Sequence, residues 1–194
     1  MVYCMPRLLS PQQGKCRVRR RSRVAKIRGL IVAWCFILSA LAISGCVRRP
    51  QHETLLEIGQ PAPAFRLQDI NGQEVTLDQF KGRVVMLDFW ATWCGPCRMT
   101  MPPLEGLAKE YASTMVLLAI NLQDPKEVVK EYIWKQGIHS QVLLDEDGSV
   151  GALYGAESIP MEVLIDKEGI VRHVQMGFGP NTLAQFRAEI ERLR

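Results

Sequence analysis

The chain has 194 residues, 47% of them apolar, and its 24 Lys+Arg against 20 Asp+Glu give a formal charge of +4 that conceals a division. Residues 1–49 carry eleven basic side chains and no acid, so residues 50–194 hold thirteen basic against twenty acidic, a net of −7. A basic head on an acidic body excludes reading the positive total as a nucleic-acid signature, and the apolar content with only six Cys excludes disorder, collagen and a disulfide-dense miniprotein.

In chain order the first feature is an address. Arg17, Arg19, Arg20, Arg21, Arg23, Lys26 and Arg28 crowd the stretch before an uncharged run from Gly29 to Val47. A basic region followed by such a run is the pattern of a secretory signal, or of an anchoring helix whose positive end stays in the cytoplasm. The body is then expected outside the cytoplasm. The run closes on Ile43-Ser44-Gly45-Cys46, which resembles the lipobox of bacterial lipoproteins and by that resemblance implies cleavage before Cys46 and lipid attachment to it. The alternative is an uncleaved span, since 19 uncharged residues just suffice to cross about 30 Å of hydrocarbon. Arg19-Arg20-Arg21 has a twin-arginine look that Ser22-Arg23-Val24 does not continue. Residues 1–45 are therefore read as signal peptide or membrane anchor, and 46–61 as a flexible polar tether.

Residues 57–194 are read as one domain. Phe65 and Leu67 against Val75 and Leu77, with Asn71-Gly72 between, signal a hairpin. Pairing 65 with 77 and 67 with 75 puts the apolar pairs on one face and leaves Ile70, Asn71 and Gly72 as the loop, Gly72 taking its left-handed position. A turn over 78–82 leads into Val84–Trp90, a nearly continuous apolar run of the kind a strand buried on both faces shows. A helix is predicted from about Cys94 and interrupted near Pro102-Pro103. Met115–Leu122 reads as a second buried strand. Asp124-Pro125-Lys126-Glu127 reads as a helix start, with Asp124 as N-cap and a stripe of Val128, Val129, Tyr132 and Ile133 ending at Gly137. Gln141–Asp145 is a third strand, Ser149–Tyr154 a short helix or turn, and 162–166 with 170–175 an antiparallel hairpin. Thr182–Leu193 closes as an amphipathic helix. This order predicts an α/β sandwich on a mixed sheet.

Trp93-Cys94-Gly95-Pro96-Cys97 follows the buried strand and opens the next helix, a placement that confers reactivity on a C-x-x-C pair. Unpaired backbone N–H groups and the positive end of the helix dipole stabilise a thiolate on the first cysteine. Cys97, one turn on, is expected deeper, and the Gly-Pro spacer keeps the two sulfurs within disulfide reach. Such a pair can cycle between dithiol and disulfide.

The stretch from Asp88 to Cys97, Asp-Phe-Trp-Ala-Thr-Trp-Cys-Gly-Pro-Cys, closely resembles the thioredoxin active site. With the export segment, the added hairpin and Ser158-Ile159-Pro160 followed by Leu164-Ile165-Asp166 and Gly169, the body resembles the TlpA/ResA-type reductases of bacterial envelopes, within the AhpC/TSA redoxin superfamily. The resemblance implies a thioredoxin fold over roughly 57–194, a mixed central sheet flanked by helices with an added N-terminal β-hairpin. It implies that Cys94 attacks a substrate disulfide, that Cys97 resolves the mixed disulfide, and that Asp88 takes the proton of the deeper cysteine. Burial of Asp88 would raise its pKa toward the range useful to a base. Envelope reductases of this type commonly carry Asn there, so Asp88 is a departure toward thioredoxin-like proton handling. Trp93, Gly95, Pro96, Ile159 and Pro160 would form the substrate groove, Pro160 matching the cis-proline that faces the pair. Met161 and Glu162 follow where relatives usually carry Thr. An acid at the groove mouth would select basic partner segments; the plainer alternative is a strand end.

Other readings of the same residues are a half zinc site, a static disulfide, a satisfied core acid at Asp88 and a trans turn proline at Pro160. Cys4, Cys16 and Cys35 lie in the head, no second C-x-x-C exists, and His52, His139 and His173 are scattered, so no metal site is expected. The expected function is a membrane-tethered thiol–disulfide oxidoreductase of the bacterial envelope, on the extracytoplasmic face. It would use no cofactor beyond its cysteine pair, act on protein disulfides, draw electrons from a membrane relay protein, and bind no nucleic acid. The alternatives are a peroxide-reducing redoxin, disfavoured because Ala91 stands where a Thr-x-x-Cys motif needs Thr, and a non-catalytic binding or chaperone module.

Overall fold

In the computed structural model, which describes residues 56–194, the apolar run Val84–Trp90 becomes a strand buried along its whole length. The segment 1–45, Cys46 and the tether up to residue 55 lie outside the described residues. In chain order the elements are β1 (Arg66–Asp69), β2 (Glu74–Thr76), β3 (Val84–Trp90), α1 (Gly95–Glu110), β4 (Met115–Leu122), α2 (Lys126–Gln136), β5 (Gln141–Asp145), α3 (Ser149–Tyr154), β6 (Met161–Ile165), β7 (Val171–Met176) and α4 (Thr182–Leu193). They build one seven-stranded sheet in the order β2-β1-β5-β4-β3-β6-β7. β3, β4 and β5 are parallel, and β1, β2, β6 and β7 pair antiparallel with their neighbours.

The two parallel crossovers, through α1 and through α2, step the same way across the sheet, so right-handed connections place both helices on one face. There α1 and α4 bury Val84, Met86 and Leu164, while α1 and α2 bury Trp90, Ala119 and Val142. The opposite face, with Leu87, Phe89 and Val163, is covered by α3 and the first hairpin. The result is the predicted mixed sheet flanked by helices, with its added N-terminal hairpin. Leu67 pairs with Val75, the loop is Ile70, Asn71 and Gly72, and Gly72 has φ +81°. Asp69 fixes that loop by accepting the N–H groups of Asn71 and Gln73, both at 2.8 Å. The ladder ends at Thr76, and Leu77 enters a single 3-10 turn, from which it still packs on the same core.

Two expectations are corrected here. α1 is not interrupted at Pro102-Pro103: both lie inside one continuous helix. The carbonyls that lose a donor belong to Arg98 and Met99, which are exposed, so water can satisfy them while Met101, Leu104 and Leu107 hold the buried face. Residues 59–62, read from sequence as the end of the tether and the start of the body, are pinned to the sheet. Gly59 donates to Val171 O at 2.7 Å, Ala62 to Gly169 O at 2.8 Å, and Val171 to Gln60 O at 2.9 Å. Among the described residues no helix is long and apolar enough to cross a membrane.

Candidate active site

The loop Ala91-Thr92-Trp93 leaves the carboxyl end of β3 and delivers Cys94 to the N-cap of α1, with extended backbone angles of φ −75° and ψ 104°. From that position its Sγ accepts the backbone N–H of Cys97 at 3.2 Å, so one of the helix's orphan donors points at sulfur. Pro96 sits in the first turn, where its missing donor has no helical partner to lose. Cys94 and Cys97 are joined as a disulfide with Cα atoms 5.3 Å apart, Cys97 being the more deeply buried. Trp93 beside them is 71% exposed, Pro96 is exposed and Gly95 half-buried.

The Ile159–Pro160 peptide bond is cis, and the Ile159 carbonyl oxygen lies 3.8 Å from Cys94 Sγ. The end of β7 braces this loop, because Gly177 N–H donates to Pro160 O at 2.9 Å. Trp93, Gly95, Pro96, Ile159 and Pro160 thus flank the disulfide from two chain segments far apart in sequence. Met99 on α1 and Met176 at the end of β7 are further exposed apolar side chains, 72% and 58% exposed, that sequence reasoning had not marked.

The active-site loop is also held from beneath. Asp124, read from sequence as the N-cap of α2, does not cap it; Pro125 holds that position without a side-chain bond. The Asp124 carboxylate is turned the other way, accepting Thr92 N–H at 2.6 Å and Asn121 Nδ2 at 3.0 Å. Gln123, just before it, takes a left-handed φ of 60° that a non-glycine residue seldom adopts, and its N–H donates to Asp145 O at 3.0 Å. This bend at the end of β4 swings Asp124 under the loop that precedes the cysteines.

Asp88, fifth residue of β3, is fully buried. Strand alternation places it on the face of Met86 and Trp90, the face that α1 covers. Neither of its carboxyl oxygens has a hydrogen-bond partner, and burial pushes its pKa from 3.8 up to about 7. Glu162 is not at the groove mouth. It belongs to strand β6, as the plainer sequence reading had it, but its side chain is fully buried and it is the direct cross-strand partner of Asp88. Burial first, and then the Asp88 charge, push Glu162 up to about 8. The selection of basic client segments by Glu162 is therefore withdrawn, because a side chain with no exposed surface cannot contact a client. Among the described residues no group of three or more His, Cys, Asp or Glu is clustered to hold a metal ion.

Comparison with known proteins agrees with this geometry. Residues 58–174 match the AhpC/TSA family. The chain is 33% identical over 142 residues to the thiol-disulfide oxidoreductase ResA of Geobacillus thermodenitrificans, covering 73% of this chain and 82% of the relative. It is 34% identical over 128 residues to the thioredoxin-like protein YneN of Bacillus subtilis, covering 64% and 75%. Among solved structures, a thiol:disulfide interchange protein of the thioredoxin family from Chlorobium tepidum superimposes with a TM-score of 0.61 at 28% identity, over 71% of this chain and 98% of that one.

Proposed function

The chain belongs to the AhpC/TSA family and is a thiol-disulfide oxidoreductase of the ResA type, and from that premise we propose that it works as a membrane-tethered, extracytoplasmic reductant of protein disulfides. The observation that carries the reading is the position of Cys94 at the N-cap of α1, its sulfur receiving the Cys97 N–H and facing the Ile159 carbonyl. A thiolate formed there is stabilised by the helix terminus, whereas Cys97 lies a turn further into the helix and is the more buried of the two. In the dithiol form the Cys94 thiolate attacks a client disulfide, and one client sulfur leaves as thiolate. Cys97 then gives its proton to Asp88 and attacks Cys94 Sγ, releasing the second client thiolate and leaving the Cys94–Cys97 disulfide. The groove of Trp93, Gly95, Pro96, Ile159 and Pro160 would align the client's backbone for that attack.

The Gly-Pro spacer resembles that of reducing thioredoxins, near −270 mV, more than that of strong oxidants near −120 mV. A reductant outside the cytoplasm must be recharged, so a membrane electron-relay protein is the proposed donor. By family analogy a client is an apocytochrome c whose C-x-x-C-H thiols need reduction before haem attachment. Residues 1–45 would direct export and Cys46 would carry the lipid, with the chain up to the pinned residues 59–62 as tether.

The test is a Cys97→Ala variant expressed in a bacterial envelope. It should accumulate a mixed disulfide between Cys94 and its client that reducing gels resolve, and a Cys94→Ala variant should accumulate none. The purified wild type should reduce insulin disulfides with dithiothreitol as electron source. Absence of both the trapped adduct and insulin turnover would overturn the reading, and turnover of hydrogen peroxide in place of insulin would favour the peroxidase alternative.

A further inference from the structure

The register of the sheet sets two acids face to face. Antiparallel pairing of β3 with β6 puts Asp88 opposite Glu162, so both side chains leave the same face with Cβ atoms about 5 Å apart. Both residues are completely buried, and all four carboxyl oxygens lack a hydrogen-bond partner. No lysine or arginine among the described residues is buried beside them. β4 presents Ala119 opposite Asp88, and β7 presents Gln175 opposite Glu162, with its amide nitrogen already donating to Met176 O and Gly177 O. Of the titratable groups on the elements packed against this face, Cys97 of α1 is buried and disulfide-bonded to Cys94, and His173 of β7 lies on the same face with its Nε2 also lacking a hydrogen-bond partner, while Arg98, Lys109 and Glu110 of α1 and Arg187, Glu191 and Arg192 of α4 are exposed. His173 is paired with Leu164 and rests edge-on against Phe186 of α4, which leaves it diagonal to Glu162 rather than opposite.

Two carboxylates so placed do not both ionise near neutrality without a counter-charge, and one proton held by the pair removes one of the two buried charges. We propose that Asp88 and Glu162 act as one carboxyl pair sharing a single proton beneath the cysteines, Glu162 being the positioning residue that sets the protonation state of Asp88. This deepens the reading of Asp88 given above and rests on it for its last step. When Cys97 attacks Cys94, the Cys97 thiol proton passes to the ionised member of the pair, which then holds two protons. When a donor dithiol reduces the Cys94–Cys97 disulfide, the pair returns one proton to the Cys97 thiolate. The electrons move only between sulfurs, two per cycle, and the pair carries the proton alone.

The experiment is a pH titration of the full chain labelled with 13C in Asp and Glu carboxyl groups, followed by NMR in the oxidised state and assigned with Glu162→Gln and Asp88→Asn. The wild type should hold one proton on the pair at pH 7 and titrate in two steps more than one pH unit apart. Glu162→Gln should replace the two steps by a single Asp88 step lying between them, and the acid limb of kcat/KM for insulin reduction, which in the wild type follows the lower step, should move up to that midpoint. Asp88→Asn should likewise leave a single Glu162 step, below the upper step of the wild type. Two ionised carboxylates in the wild type at pH 7, or Asp88 and Glu162 titrations that are each unchanged when the other residue is replaced, would overturn the proposal. The wild-type titration decides even if a variant fails to fold. The carboxyl signals also report the pair whether or not Cys97 resolves the adduct, so failure here is distinct from failure of the Cys97→Ala trap.

Discussion

Asp88 is an acid that folding buries completely, out of reach of any hydrogen-bond donor among the described residues, and that placement has a thermodynamic signature as well as a chemical one. Its pKa is higher in the fold than in the unfolded chain, about 7 against 3.8, so between those values the folded state binds more protons than the unfolded one. Stability therefore falls as pH rises through that window, by up to about 1.4 kcal/mol per pH unit, and is greatest where both states are protonated. Asp88→Asn removes the ionising group while keeping its shape. Urea unfolding should find the variant more stable than wild type by a few kcal/mol at pH 8 and nearly equal to it at pH 4; a difference independent of pH would sink this account. The same variant should lose at least about tenfold in insulin reduction, as the loss of a positioned proton acceptor predicts. At this scale the site divides by how local its signals are. Cys94, Cys97 and Asp88 are legible because they share one continuous strand–turn–helix segment, and Pro160 because Ile-Pro before an apolar strand is a compact signal. Glu162 is adjacent to that signal and still misread, since only the strand register shows that it points inward at Asp88.

Among elements, the two strand-end loops that hold the cysteines depend on one carboxylate. Asp124 joins the turn after β4 to the turn after β3 by accepting both Thr92 N–H and Asn121 Nδ2 with a single oxygen. Asp124→Ala leaves those donors unpaired in a largely buried place, which costs on the order of 1–3 kcal/mol. The expected result is a lowered urea midpoint, together with faster hydrogen exchange at the Thr92 amide than the global loss accounts for. Exchange at Thr92 that tracks global unfolding alone would mean that the brace carries no local stability. The sequence pattern Asp-Pro-x-Glu reads as a helix cap because capping is a local rule, but the tertiary bond to Thr92 outcompetes it. α1 shows the same precedence: two prolines predict a break, yet one face buried by Met101, Leu104 and Leu107 carries the helix through. β3 and β4 were legible because burial on both faces leaves a continuous apolar run. The order of the strands was not, because β5 lies beside β1 through pairings that no local pattern encodes.

For the whole molecule, the proposed cleavage before Cys46 would make the +4 charge that of a precursor. A chain cleaved before Cys46 would keep 149 residues with fifteen basic and twenty acidic side chains, a net of −5, and three cysteines of which two form the redox pair. An acidic body is repelled by anionic headgroups, so electrostatics would not hold it at a membrane and a covalent lipid would have to. This separates the two modes of anchoring. If Cys46 is lipidated, the wild type should stay with membranes through a wash in about 1 M salt, where the Debye length is near 3 Å, and should leave with detergent. It should also take up labelled palmitate and run shorter than the precursor by 45 residues. Cys46→Ser should take up no label and remain at precursor length, because the cleaving enzyme of a lipobox acts on the lipidated cysteine. If instead wild type and Cys46→Ser run at the same full length without label, the uncharged run from Gly29 to Val47 is an uncleaved anchor and the lipid reading fails. A third result, equal shortening of both without label and release into the soluble envelope fraction, would make residues 1–45 an ordinary signal and leave the reductase untethered.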